Sequence, residues 1–310
     1  MAVVQEDTAH TLPAGVTAMI RPSSAGWRRA ASGLRPVGPA DLVHGLDVDL
    51  PLRPRAPTVI TVCDLSVFDV PWAFSRRRAR GEQFLVRRAV QRADAVIAIS
   101  NFTAERIRAR FGRDAVVTNL AAAPRFRPAT EADLERVRRR YELPETCVLY
   151  LGAVEPRKDV ATLATVCRDL GIPLVTGGPV LDPQARVAGV RHVGYVDADD
   201  LPALYGAATV VAYPSHYEGF GLPPIEAMAS GAAVVATAVG ALPEVAAGGA
   251  ELVPPGNAAA LRDAIAGLVR DRERRAELAA AAAGVAARLS WARTVDETLA
   301  VYRRLGVAAT

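Results

Sequence analysis

The sequence predicts an α/β protein with two parallel, doubly wound sheets in tandem, each covered by helices on both faces. Three observations carry that expectation. Short β-branched apolar runs alternate with helix-period segments along the chain. The runs are continuously apolar, as strands buried on both faces require, and do not alternate as half-exposed strands do. An irregular stretch followed by a charged helical one, residues 121–141, divides the series in two.

Taken in order, the first series has strands at 58–63, 95–99 and 115–118, with helices at 84–92 and 103–111. Its end is the irregular run Ala121-Ala-Ala-Pro-Arg-Phe-Arg-Pro128, where two prolines and no periodicity mark a break. A charged helix at 131–141 leads into the second series, which opens at Cys147. Its strands are 147–151, 174–176, 209–213, 233–236 and 251–253, with helices at 160–170, 201–207 and 258–269 between them. The alanine-rich tract 276–287 is helical on propensity. There is no internal repeat. The expected division is 1–128, 129–290 and a final segment 291–310.

A chain of 310 residues is long enough for two cores. With 51% hydrophobic and 23% charged residues it has the balance of a globular protein. No stretch reaches the roughly 18 apolar residues of a membrane span. Met1 to His10 carries Glu6 and Asp7 and no apolar region, so no secretory signal is expected. Cys63, Cys147 and Cys167 lie far apart without metal-ligand spacing and read as reduced thiols of a cytoplasmic protein. The net charge of +4 is unevenly placed: from Pro71 to Arg113 eleven arginines face only Glu82, Asp94 and Glu105. That is either a solvated helical face or a surface for peripheral contact with an anionic membrane or a phosphate-bearing acceptor. No interleaved aromatics and no nucleic-acid motif accompany it, which argues against nucleic acid as a partner.

Two segments carry the chemistry. Tyr213-Pro-Ser-His-Tyr-Glu-Gly-Phe-Gly-Leu-Pro-Pro-Ile-Glu226 links a strand to a helix, and Ala227-Met-Ala-Ser-Gly231 continues it. Gly219 and Gly221 would let backbone approach a ligand closely. Pro223 and Pro224 suit a first helical turn, whose N–H groups and dipole favour phosphate. Glu218 before the turn and Glu226 inside the helix would flank the bound group, since carboxylates accept from pairs of sugar hydroxyls. The second segment, Gly152-Ala-Val-Glu-Pro-Arg-Lys-Asp159, follows the first strand of its sheet. Lys158 is the only lysine in the chain. An ammonium beside the Arg157 guanidinium suits a diphosphate whose charge grows as it leaves.

On these residues the chain resembles the retaining GT-B glycosyltransferases of family 4, with residues 148–270 following that family's donor domain in order and spacing. The resemblance implies two Rossmann-like domains facing a cleft and a nucleotide-diphosphate sugar as donor, a UDP- or GDP-hexose. It implies retention of anomeric configuration, with no cofactor and no metal. Glu218, Arg157 and Lys158 would be catalytic, the carboxylate on the donor sugar and the two cations on the diphosphate. Gly219, Phe220, Gly221 and Leu222 would meet sugar and phosphates through their N–H groups, Glu226 would bind the ribose, and Gly194, Tyr195 and Val196 would border the nucleobase. Asp41–Gly45, Thr58–Ser66 and Asp94–Thr103 resemble the acceptor domain, placing Cys63, Asp64, Ser100 and Asn119 on the acceptor side. The final helix, 291–305, would cross back onto the first domain.

Two departures from the family stand in the first half. Met1 to Leu34 shows no opening strand with a glycine-rich loop, so this domain is expected to be shortened. Where the family often has His-Asp, the chain reads Cys63-Asp64, and a cysteine cannot reproduce an imidazole's hydrogen bonds. Asn119 lies near the family's Asn-Gly turn, but Leu120 follows it.

Several other groupings read as decoys. Asp47-Val-Asp49 and Asp197-Ala-Asp199 spell the carboxylate pair of metal-dependent single-domain transferases, which a tandem architecture disfavours. His44, His192 and His216 have no metal spacing. His216 either touches substrate or is a plain loop histidine, and Cys63 reads better as a packed strand-end residue than as an activated thiol.

The expected function is hexosyl transfer to a glycan, glycolipid or natural-product acceptor, in the cytoplasm or peripherally at the inner membrane face, with turnover open to impairment. Two alternatives stay open at this level: a catalytically silent sugar-nucleotide-binding subunit, and a nucleotide-sugar epimerase on the same fold.

Overall fold

A computed structural model describes residues 2–5, 17–21, 38–46, 50–51, 54–181 and 189–307. Asp47 and Asp49, and most of the stretch Met1 to Leu34, lie outside the described residues.

A parallel strand pair and two larger parallel sheets, the first of β3–β6 and the second of β7–β12, are present among them. β1 (Ala2–Gln5) and β2 (Ala18–Arg21) pair with each other, in a region from which no strand was expected. β3 (Val43–Gly45), β4 (Thr58–Val62), β5 (Ala95–Ala98) and β6 (Val116–Val117) form a four-stranded sheet in that order. The second large sheet holds β7 (Val148–Leu151), β8 (Leu174–Gly177), β9 (Arg191–His192), β10 (Val210–Tyr213), β11 (Val234–Thr237) and β12 (Glu251–Val253). Its order is β12-β11-β10-β7-β8-β9, every pair parallel. The buried strands are the β-branched runs: β4 reads Thr-Val-Ile-Thr-Val, and all four residues of each of β7, β8, β10 and β11 are buried.

The strand order fixes where a ligand can sit. From β7 the chain moves outward through β8 and β9, then returns to β10 on the other side of β7. The carboxyl ends of β7 and β10 therefore flank the point where the topology reverses, the crevice in which open parallel sheets bind ligands. The loops leaving those two ends are 152–159 and 214–221.

Side-chain caps explain where the helices begin. Ser100 accepts from Thr103 N at the start of helix Asn101–Phe111, Thr130 from Asp133 N before Glu131–Arg140, and Asp159 from Thr162 N before Val160–Asp169. Helix Glu131–Arg140 is pinned to helix Leu201–Ala207 of the second domain through Asp200, the residue that precedes it. That carboxylate, nearly fully buried, accepts from Arg136, Arg140 and the Tyr141 hydroxyl, while Arg140 also bridges Asp197. Asp197 thus belongs to a packing network, while Asp199 is exposed.

Helix Trp291–Arg304 lies on the first sheet, where Val301 clusters with Val59 and Ile97. His44 joins the same contact: its Nδ1 is 2.6 Å from Tyr302 Oη and its Nε2 2.8 Å from Thr61 Oγ1. Burial lowers the His44 pKa to about 4, so the ring is neutral at neutral pH.

Candidate functional site

The loops 152–159 and 214–221 meet at the reversal point and bring the two sequence segments together. Residues 156–158 form a single 3-10 turn, and Asp159 then takes a left-handed conformation at φ 48°. The turn directs Lys158 onto Glu218, its Nζ lying 2.6 Å from Oε1. Ser215 Oγ donates to the same oxygen at 2.7 Å. The pair is nearly enclosed, with side-chain exposures of 12% and 7%, so its charges interact with little solvent screening. Arg157 Nε lies 2.8 Å from Glu155 Oε1 without being directed at it, and among the described residues no acceptor aligns with that buried N–H. Both cations read as a diphosphate clamp are therefore already beside carboxylates, and an incoming diphosphate would compete with Glu155 and Glu218 for them.

After Glu218 the loop turns into helix Leu222–Ala229. Gly221 caps it at φ 90°, a region where a side chain is strained. Among the described residues, no acceptor takes the N–H of Phe220, Gly221 or Leu222, although Phe220 is 2% exposed. Pro223 and Pro224 carry no N–H, so Ile225 is the first residue bonded into the helix, to Gly221 O. Three consecutive unpaired N–H groups at a helix start are donors of the kind that an anion can accept from. Glu226 stands on this helix, and burial raises its carboxyl to about 7 despite the opposing charge of Arg125.

The glycines correct one expectation. A Cβ at Gly219 would lie 2.3 Å from Cys63 O and 2.6 Å from Asp64 Cβ, and one at Gly221 would lie 2.4 Å from Leu242 Cδ2. What approaches these glycines is the protein itself: the end of β4 at Gly219, and a leucine side chain at Gly221.

The first sheet holds the loop from the other side. Ser100 and Thr103, both fully buried, point their hydroxyls at Gly219 O. Tyr217 Oη accepts from Leu65 N at 3.2 Å and donates to Asp69 Oδ2 at 3.2 Å, and Asp69 is itself paired with Arg106. Ser100 is thus no acceptor-binding group, because its hydroxyl is enclosed at the contact between the sheets. Asn119 also faces inward: Nδ2 donates to Ile99 O at 3.2 Å, and its backbone carbonyl accepts from the Thr294 hydroxyl of the last helix. Asp64 accepts from Ser66 N at 2.8 Å and so shapes its own turn, whereas the Cys63 side chain is exposed. Cys63 and Asp64 remain beside the loop.

The segment read as bordering a nucleobase lies at the end of β8. Gly194 O accepts from Gly178 N at 2.8 Å, Val196 is buried, and the Tyr195 ring is 83% exposed. His216 stands at the rim, its Nε2 3.3 Å from Asp159 Oδ2 and its ring edge-on to Trp72 at 5.4 Å. Sequence reasoning missed Ser215, Tyr217, Asp69 and Thr103. Only Thr103, at the Ser-x-x-Thr spacing of a helix start, had a local signal. A cavity of about 680 Å3 lies near the amino end of β4, lined in part by Pro57, Thr58, Arg88 and Arg92, away from this site.

Residues 133–285 match the family described as glycosyl transferases group 1. The chain is 30% identical over 284 residues to the O-antigen chain mannosyltransferase B of Escherichia coli, covering 85% of this chain and 74% of that protein. It is 33% identical over 284 residues to a D-inositol 3-phosphate glycosyltransferase of Actinosynnema mirum, covering 82% of this chain and 66% of the relative. Among solved structures, Anabaena HepE in complex with UDP and glucose superimposes with a TM-score of 0.74 at 18% identity, covering 94% and 87% of the two chains. That likeness is one of fold.

Proposed function

Because the chain belongs to the glycosyl transferases group 1, with the GT-B architecture, we propose that it transfers a hexosyl group from a nucleotide-diphosphate sugar to a hydroxyl of a glycan, glycolipid or natural-product acceptor. The observation that carries this reading is the meeting of Lys158, Glu218 and the unpaired N–H groups of residues 220–222 at the point where the sheet reverses.

In this proposal the diphosphate lies on the N–H groups of residues 220–222 and draws Lys158 and Arg157 toward it. Glu218, released from Lys158, accepts from donor-sugar hydroxyls, and Glu226 accepts from the ribose. The nucleobase lies along Gly194–Val196. As the glycosidic bond breaks, negative charge grows on the diphosphate and is stabilised by groups already in place. The acceptor attacks on the face the diphosphate leaves, with the departing oxygen taking its proton, so configuration is retained without a metal or cofactor. The name of the Escherichia coli relative favours a mannosyl donor.

We place the protein in the cytoplasm with a peripheral contact at an anionic membrane. Arg77, Arg80 and Arg87 are exposed around Phe84, itself 66% exposed, on helix Arg76–Arg92. An exposed aromatic ringed by guanidinium groups suits an interface of acyl chains and anionic headgroups. Incubation with UDP- and GDP-hexoses and candidate acceptors, with anomeric analysis of the product, tests the activity. A product of inverted configuration, or donor converted without acceptor, overturns it.

A further inference from the structure

The first sheet does more than close the cleft. Gly219 O accepts from Ser100 Oγ at 2.7 Å, and Thr103 Oγ1 is 3.3 Å from the same oxygen and 3.0 Å from Ser100 Oγ. Ser100 also accepts from Thr103 N at 3.0 Å, so one hydroxyl caps a helix of the first domain and holds a carbonyl of the second. Both residues are fully buried, and a buried hydrogen bond to a fixed donor holds direction closely.

A trans peptide is planar, with its C=O and N–H pointing opposite ways. Holding the Gly219 carbonyl toward the first domain therefore aims the Phe220 N–H away from it. That N–H is one of the three with no acceptor among the described residues. The close approach of Cys63 O, which excludes any side chain at position 219, keeps the peptide seated.

The geometry points to Ser100 and Thr103 as positioning residues: by anchoring the Gly219 carbonyl, the first domain sets the direction of an N–H that binds the donor diphosphate in the second. This rests on the proposed donor site. The domains are then coupled through one peptide plane, and diphosphate recognition is complete only when the first domain is docked.

The test is the affinity of nucleoside diphosphate relative to the corresponding monophosphate, measured calorimetrically with uridine and guanosine nucleotides. Base and ribose contacts are common to both ligands, so their ratio isolates the second phosphate. The wild type prefers the diphosphate, and in Ser100→Ala/Thr103→Val that preference falls by about tenfold or more, the scale of one charge-assisted hydrogen bond. Ser100→Thr retains it. Ser75→Ala removes an equivalent helix cap elsewhere in the first domain, at the start of helix Arg76–Arg92, and leaves the ratio unchanged. An unaltered ratio in a folded double variant overturns the inference while the donor site stands. A wild type with no preference for diphosphate overturns both.

Discussion

Glu226 occupies the second turn of its helix with a carboxyl that burial lifts to about 7. A folded-state pKa above the unfolded carboxylate value means the native state binds more protons between about pH 4.5 and 7. The apo protein therefore loses stability as pH rises through that window. Glu226→Gln is expected to stabilise it by about 1–2 kcal/mol at pH 8 after allowance for partial exposure, and to give no gain below pH 4.5. Urea melts at the two pH values check this, and equal effects at both contradict it. The same variant should weaken ribonucleotide binding at pH 8, as expected of a residue kept for function at a cost in stability. His44 has the opposite sign, since its lowered pKa of about 4 means the unfolded state binds the extra proton. Stability contributed by the neutral ring is present above about pH 6.5 and is lost as pH falls toward 4. The urea midpoint should drop over that interval, by less in His44→Gln, and a variant that follows the wild-type curve throughout removes the assignment.

Asp200 shows what holds an element in place. It joins helix Glu131–Arg140 to the start of helix Leu201–Ala207 through two arginines and a tyrosine. Asp200→Ala leaves the Tyr141 hydroxyl without its buried acceptor and frees two half-exposed arginines, and should lower stability by about 1–2 kcal/mol, the scale of one buried hydrogen bond, with nucleotide affinity unchanged at 25 °C. A large loss of affinity in the folded variant would mean that the helix also shapes the site. Elements were legible in the sequence wherever their burial was two-sided. The eight expected strands all exist, because runs such as Val-Val-Ala-Tyr in β10 are apolar throughout. β3 and β9 escaped because they are short edge strands: two residues of β3 are half-buried, and both residues of β9 are exposed, so neither carries the apolar run of a buried strand. The donor loop was legible for another reason, since Glu218, the glycines and Glu226 are contiguous in sequence. Its supports were not, because Ser100 and Gly219 are 119 residues apart and Tyr217 and Asp69 are 148 apart. Pattern within a window carries no information about such pairs, which is why Ser100 and Asn119 read as acceptor-side groups.

At the scale of the whole molecule, two sheets meet with the carboxyl ends of their strands together, and the last helix ties the chain back to the first sheet through Tyr302 and Val301. The arginines of helix Arg76–Arg92 give the molecule a basic side. Among the described residues no ion pair engages Arg76, Arg77, Arg80 or Arg87. Flotation with vesicles containing anionic lipid should recover the protein at low salt and release it as salt rises. Phe84→Ser should weaken recovery, and absence of binding at low salt removes the membrane contact. The central claim is the donor site at the reversal between β7 and β10. Calorimetric titration of UDP, GDP and their hexose conjugates into the wild type and Lys158→Ala tests it most directly. One nucleotide family is expected to bind in the micromolar range, and Lys158→Ala, folded to the same extent, to lose most of that affinity. No binding of any of these ligands to folded wild type, or equal binding to the variant, would contradict it.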